Sequence, residues 1–140
     1  MQTRRDVVTW LSALSLVGLA RPLAADESAE DKAERAARAW LSLVDSGRYS
    51  ESWDETAAVF KGAVTKEQWQ QALAAVRAPL GACLSRKLVS RKLVESLPGA
   101  PKGPYVVIQL AADFEKKQDA VETITPALDG SWRVSGYFIR

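Results

Sequence analysis

The apolar residues of this chain change period near Gly81, and that change restricts the fold more than any other feature of the sequence. Before it they recur at steps of three and four, the repeat of one helix face; after it they alternate, the repeat of a strand with one buried face. From Ser28 to Asp45, Ala29, Ala33, Ala36, Ala37, Trp40, Leu41 and Val44 form an amphipathic stripe with charges between them. Ser28 and Asp31 have capping-box spacing at its start, and Gly47 supplies a left-handed stop. Tyr49, Trp53, Ala57 and Phe60 predict a second helix, with Ser52 and Glu55 as its capping box and Gly62 as its end. Thr65 and Gln68 cap a third, whose stripe of Trp69, Leu73, Val76 and Leu80 runs on until Pro79 and Gly81 close it.

Four strands are expected next. Leu84, Leu88 and the echo RKLVS-RKLVE mark the first, and Leu97–Pro104 reads as a loop because Pro and Gly dominate it. YVVIQLAADFE, AVETITPAL and SWRVSGYFI supply the second, third and fourth, with Asp129-Gly130 as a tight hairpin turn before the last. Helices first and an antiparallel meander second make an α+β domain with the helices on one sheet face.

Alternation assigns the faces. In the second strand Val106, Ile108, Leu110, Ala112 and Phe114 are all apolar, so that side is expected to meet the helices. The same rule turns Trp132, Val134, Gly136 and Phe138 inward, and Arg133, Ser135, Tyr137 and Ile139 outward. Arg86 shares the face of Leu84 and Leu88, and Glu122 shares the face of Ile124, so an Arg and a carboxylate are both expected on the inner side.

The first 25 residues have the layout of an export signal: Arg4 and Arg5, an uncharged run from Val7 to Ala20, then small residues ending at Ala25. The run is 14 residues, short of the roughly 20 that cross a bilayer as a helix. Contact with a membrane is therefore expected only in transit, and the compartment is periplasmic or secreted. Thr3-Arg4-Arg5-Asp6-Val7-Val8 resembles the twin-arginine pattern without its later Lys, so the general Sec route stays open. Cleavage after Ala25 leaves one domain of residues 26–140; cleavage after Ala20 fits the small-x-small rule through Gly18.

Without the signal the charge balance changes. The chain has 19 Lys and Arg against 17 Asp and Glu, and residues 1–25 contain Arg4, Arg5, Arg21 and Asp6, so the remainder carries 16 of each sign. An even balance gives no footprint for nucleic acid. There is no His, which removes His-dependent triads, His bases and His-rich metal sites. Cys83 is alone, so no intramolecular disulfide forms; flanked by Ala82 and Leu84, it reads as a small core residue. No phosphate loop and no calcium-loop spacing occurs, and neither a metal nor a cofactor is expected.

"AWLSLVDSGRYSESW", "QWQQALAAVRAPLG", "LPGAPKGPYVV", "AVETI" and "WRVSGYFI" together resemble a family of small exported bacterial proteins, domain-of-unknown-function family 4019, over about residues 33–139. The resemblance brings no catalytic residue, since the family has no assigned activity. It implies a nuclear-transport-factor-2-like or cystatin-like cone: three N-terminal helices on one face of a curved four-stranded antiparallel meander. That fold hosts isomerases, dehydratases and binding modules, so it does not choose a function.

Pocket candidates follow from the inner face. Trp53, Trp69 and Trp132 lie on apolar stripes, where core packing competes with an aromatic-lined pocket. Arg86 and Glu122 make either an ion pair or a polar rim, and Arg77 at the third helix's end bonds helix carbonyls, a nearby acid or a ligand carboxylate. Tyr105, Val107, Tyr137 and Ile139 would leave an apolar stripe outside the sheet, a candidate interface for a homodimer. The expected function is a non-enzymatic module binding a small molecule or a protein. The alternatives are a cofactor-independent isomerase or hydrolyase with Glu122 as its acid, and a dimerisation domain using the outer sheet face.

Overall fold

The computed structural model describes residues 27–140, so the expected export signal with Arg4 and Arg5 lies outside the described residues. Helix α1 (Ala29–Asp45) opens with the expected capping box: the Asp31 N–H donates to the Ser28 hydroxyl at 3.0 Å, and the Ser28 N–H donates back to the Asp31 carboxylate. It buries Ala33, Ala37, Trp40, Leu41 and Val44, and Gly47 follows with a left-handed φ of 79°.

The expected second helix is two short ones, α2 (Tyr49–Asp54) and α3 (Ala58–Ala63). They are separated because Thr56 bridges Val134 in parallel and the Ala57 N–H donates to the Val134 carbonyl at 2.8 Å, which draws the chain out of the helix. Ser52 is no cap. It is fully buried, and its hydroxyl donates to the Tyr49 carbonyl at 2.6 Å. Gly62 lies inside α3 rather than ending it.

Helix α4 (Lys66–Arg77) starts on the expected Thr65–Gln68 capping box and passes into a 3-10 turn, Ala78–Leu80. Its buried residues are Trp69, Leu73 and Arg77, spaced at four, whereas Val76 is 47% exposed. The inward stripe thus ends on a charged residue in place of the expected valine.

Strands β1 (Cys83–Val94), β2 (Tyr105–Phe114), β3 (Lys117–Asp129) and β4 (Ser131–Ile139) form one antiparallel sheet in the order β1-β2-β3-β4. The α+β meander is as expected, and Val106, Ile108, Leu110, Ala112 and Phe114 all face the helices, each buried. Among the described residues no helix is long and apolar enough to cross a membrane.

Beside a shift at the β2–β3 turn, where β3 has one residue more than β2 between Lys117 and Ala120, strands β1 and β4 depart from simple alternation. In β1 the register shifts between Cys83 and Ser85 and again between Leu88 and Ser90. Leu84 therefore turns out to solvent, 64% exposed, while Arg86 keeps its inner position opposite Ala112. In β4, Tyr137 pairs with Ile124 but Val134 pairs with Pro126, so β4 carries one extra residue in this interval. A bulge reverses the phase of everything after it. Trp132 and Val134 face inward as expected, but Tyr137 and Ile139 also pack on core residues, and Phe138 is exposed.

The interface stripe expected on the outer face is therefore not assembled. Tyr137 and Ile139 belong to the inner side. Tyr105 does point outward, but the β1–β2 loop covers it: its hydroxyl donates to the Pro101 carbonyl at 2.6 Å and it packs on Ala57 and Ala127. Val107 stays half-buried outside.

The main core joins α1, α4 and the sheet through Trp40, Leu41, Trp69, Leu73, Ile108, Leu110 and Ile124, with Trp53, Trp132 and Tyr137 packed against them. Buried indoles need acceptors for their N–H groups. Trp40 Nε1 donates to the Ser52 carbonyl at 2.8 Å, Trp69 Nε1 to the Ser52 hydroxyl at 2.9 Å and Trp53 Nε1 to the Val64 carbonyl at 2.8 Å. Ser52 serves two of the three, which accounts for its burial.

Gly81 links the helical and sheet halves at φ 77° and ψ −164°, a conformation that is essentially restricted to glycine. A Cβ there would meet the Glu115 Cβ at 2.9 Å, and the Glu115 carboxylate accepts from the Ala82 N–H at 2.7 Å. Gly81→Ala is expected to lower the unfolding free energy by about 1–3 kcal/mol. Gly62→Ala, inside α3 with open space around it, is expected to raise it by up to about 1 kcal/mol. Urea melts of the two variants check both signs.

Candidate functional site

The inner face carries one polar cluster, and its centre is Glu122. This side chain is fully buried in β3 opposite Leu110. Arg86 reaches it from β1 with two hydrogen bonds, Nε to Oε1 at 2.5 Å and Nη2 to Oε2 at 3.1 Å. The small Ala112, opposite Arg86 on the intervening strand, leaves room for the guanidinium to cross. Tyr137, turned inward by the bulge, donates its hydroxyl to Oε2.

The cluster extends to the ends of two helices. Asp45, the last residue of α1, accepts from Arg86 Nη1 at 2.8 Å and Nη2 at 3.1 Å, and from Arg77 Nη2 at 2.9 Å. Arg77 ends α4, is 4% exposed, and stacks 4.8 Å from the centre of the Phe114 ring. Its Nε and Nη1 have no hydrogen-bond partner among the described residues. Two guanidinium groups thus meet the negative ends of two helices and two carboxylates, an arrangement that favours positive charge there.

The proton affinities follow from this packing. Burial alone would push Asp45 up, but the hydrogen bonds and charges of Arg86 and then Arg77 outweigh it and hold its carboxyl below the usual range. Burial, followed by the neighbouring Glu122 charge, pushes the Tyr137 hydroxyl far up, so it remains a donor at any physiological pH. Arg86 is driven further toward its charged form by Asp45 and Glu122 despite its desolvation. Burial also raises the Cys83 thiol, so it is no thiolate at neutral pH.

The six pocket candidates separate into three sets. Arg77, Arg86 and Glu122 meet in the cluster, together with Asp45 and Tyr137, which had not been assigned to it. Trp53 and Trp69 take no part in it and pack toward the two short helices; Trp69 stacks edge-on to Phe60 with ring centres 5.0 Å apart, and Lys61 and Lys66 lie over the Trp53 ring. Trp132 stands apart from both, beside an open groove of about 480 Å³ between α1, α2 and the β3–β4 turn. Trp40, Leu43, Glu51, Asp54, Glu55 and Arg133 complete its walls. Among the described residues no group of three or more Cys, Asp or Glu is placed to hold a metal ion.

Pro126 is the signal that could have located Tyr137. A proline in a central strand interrupts the ladder and is found at bulges, and Pro126 stands where β4 gains its extra residue. The ladder between β2 and β3 is open beside it, with pairs at Tyr105–Ala127 and next at Ile108–Ile124. Asp45 gave no comparable signal, because a polar residue at a helix end before Ser46-Gly47 reads as solvated.

Removing one member of a buried pair leaves the other charge unmatched, which costs about 3–5 kcal/mol. Arg86→Met and Glu122→Leu are each expected to destabilise by about that amount, and the double variant to recover most of the loss. Chemical denaturation of the three variants tests this. A pH series tests Asp45. Because its folded-state value is depressed, its stabilisation is complete above its unfolded value near pH 4 and is lost as pH falls further through the folded value. Asp45→Asn should weaken the protein at neutral pH and flatten the acid limb of stability against pH below about 4.

No curated protein and no solved structure matches this chain. A family model does, over residues 36–137, which take in α1 from Ala36 and every later element as far as Tyr137. The matched span contains the whole charge cluster and every residue lining the groove, and on it the chain belongs to the family described as Protein of unknown function (DUF4019).

Proposed function

We propose that this chain is an exported, non-enzymatic module that binds its ligand or protein partner at the surface groove beside Trp132. The observation that carries this reading is the division between a filled interior and an open groove. Indole and phenol rings occupy the space between helices and sheet: Trp40 lies 6.1 Å from Trp69 and 5.3 Å from Tyr137, centre to centre. The isomerase or hydrolyase alternative needs a carboxylate that substrate can reach. Glu122 is fully buried and already accepts from Arg86 and Tyr137, so it does not meet that need.

The groove's walls narrow the ligand chemistry. Glu51 is paired with Arg48 at 2.9 Å and Asp54 with Lys66 at 2.8 Å. Glu55 and Arg133 are 3.8 Å apart, the longest and so the loosest of these three pairs. Charges on the rim are balanced, so no strongly anionic or cationic partner is favoured. A flat apolar group on Trp132 with a polar end that exchanges into the Glu55–Arg133 pair fits best, whether on a small molecule or a protein side chain.

Export rests on the Arg4-Arg5 leader and the following apolar run. One experiment addresses both parts. Fractionation should find the wild-type chain outside the cytoplasm and the Arg4→Lys/Arg5→Lys variant retained inside it if the twin-arginine route is used. The exported form, titrated with aromatic amines and aromatic acids, should show NMR shifts of the Trp132 indole that vanish in Trp132→Ala. A cytoplasmic wild type overturns the export reading. Shifts at Tyr137 and Trp69 in place of Trp132, or none at all, overturn the groove.

A further inference from the structure

The sheet has two edges, and they are built differently. Edge strand β1 carries Arg86, Lys87, Arg91 and Lys92 and two bulges, the usual protections against pairing with another strand. Edge strand β4 has its first half covered, since Ala57 already occupies the Val134 carbonyl. From Tyr137, just past the bulge, to Ile139 it has no charge and no further bulge, and no segment among the described residues covers it.

The free backbone groups on this stretch can be located. Val121 and Arg140 exchange both N–H···O bonds, at 2.9 and 3.1 Å, and so form a hydrogen-bonded pair. Alternation then makes Glu122–Ile139 and Ile124–Tyr137 non-hydrogen-bonded pairs. The N–H and C=O groups of Tyr137 and Ile139 therefore point away from β3, toward the open edge. Phe138 stands between them, 58% exposed. Beside them α4 leaves an apolar groove of about 180 Å³ with Ala72 and Val76 on its wall. The exposed face of α4 here (Gln68, Gln71, Ala72, Ala75, Val76) is uncharged.

We propose that β4 pairs antiparallel with β4 of a second copy of this chain, about a two-fold axis through Phe138. In this register Tyr137 lies opposite Ile139 of the other copy, and Ile139 opposite its Tyr137. All four residues turn their free backbone groups to the seam, which gives four main-chain hydrogen bonds. Phe138 meets its own copy in the closer, non-hydrogen-bonded type of pair, an aromatic cross-strand contact. Arg140 falls opposite Gly136, where no side chain stands in its way. The two α4 helices then lie along the same side of the seam with their uncharged faces toward each other. Two free positions with one aromatic between them match their own two-fold copy, and that self-match selects a second chain over an unrelated strand.

The test is the solution mass of the purified protein with its export signal removed by the cell, by sedimentation equilibrium over a range of concentrations. Wild type is expected at twice the chain mass, with amide exchange at Tyr137 and Ile139 slowing as concentration rises. Phe138→Lys, which puts like charges on the axis, is expected to return the chain mass while keeping its circular dichroism. Phe138→Ser should raise the dissociation constant by about tenfold or more. Leu84→Lys on the opposite edge should leave the dimer intact. A wild-type monomer at all concentrations, or a dimer that survives Phe138→Lys, overturns the proposal.

Discussion

The Arg86–Glu122 pair is the constraint around which the helices and sheet are arranged. A carboxylate with no solvent contact is costly unless it is matched in charge and hydrogen-bonded. Glu122 obtains both only if β1 brings Arg86 across β2, if Ala112 is small enough to let it pass, and if the β4 bulge turns Tyr137 inward. Arg86 in turn has donors left over, and Asp45 accepts them. That fixes where α1 ends. Arg77 reaches the same carboxylate, which fixes where α4 ends. One buried charge thereby ties two helix termini to three of the four strands.

Hydrophobic packing alone would leave these helices freer. The buried stripe of α1 is alanine in its N-terminal half, Ala33 and Ala37, with Trp40, Leu41 and Val44 following. Small side chains permit sliding because they interlock weakly with the sheet. The polar contacts supply what the alanines lack: the Trp40 and Trp69 indoles both bond to Ser52, and Asp45 bonds to two arginines. Such contacts add little net stability over apolar equivalents, yet they admit few alternative positions.

Residues whose placement depends on local repeat were legible in the sequence. Both helix caps at Ser28 and Thr65, the inner face of β2, and the inward positions of Arg86, Glu122 and Trp132 all follow from spacing. Residues whose placement depends on a distant partner were not. Val76 carried the more apolar side chain, but Arg77 took the inner position because Asp45 and Phe114 were there to receive it. Tyr137 and Phe138 exchanged faces because β4 holds one residue more than β3 over that interval. Alternation counts residues along one strand and has no knowledge of its neighbour. The clue lay in the neighbour, at Pro126.

The same bulge separates the two surfaces of β4. Before it, Trp132 and Arg133 line the groove against α1 and α2; after it, Phe138 faces out and Tyr137 and Ile139 hold the free backbone groups. Between the two regions Ala57 closes the edge at Val134. A strand added along Gly136–Arg140 would therefore stop short of the groove, and a ligand on Trp132 would leave the free edge uncovered. Pairing of two chains and occupation of the groove are sterically independent on this strand. A dimer built on the edge would present two such grooves, one on either side of its axis.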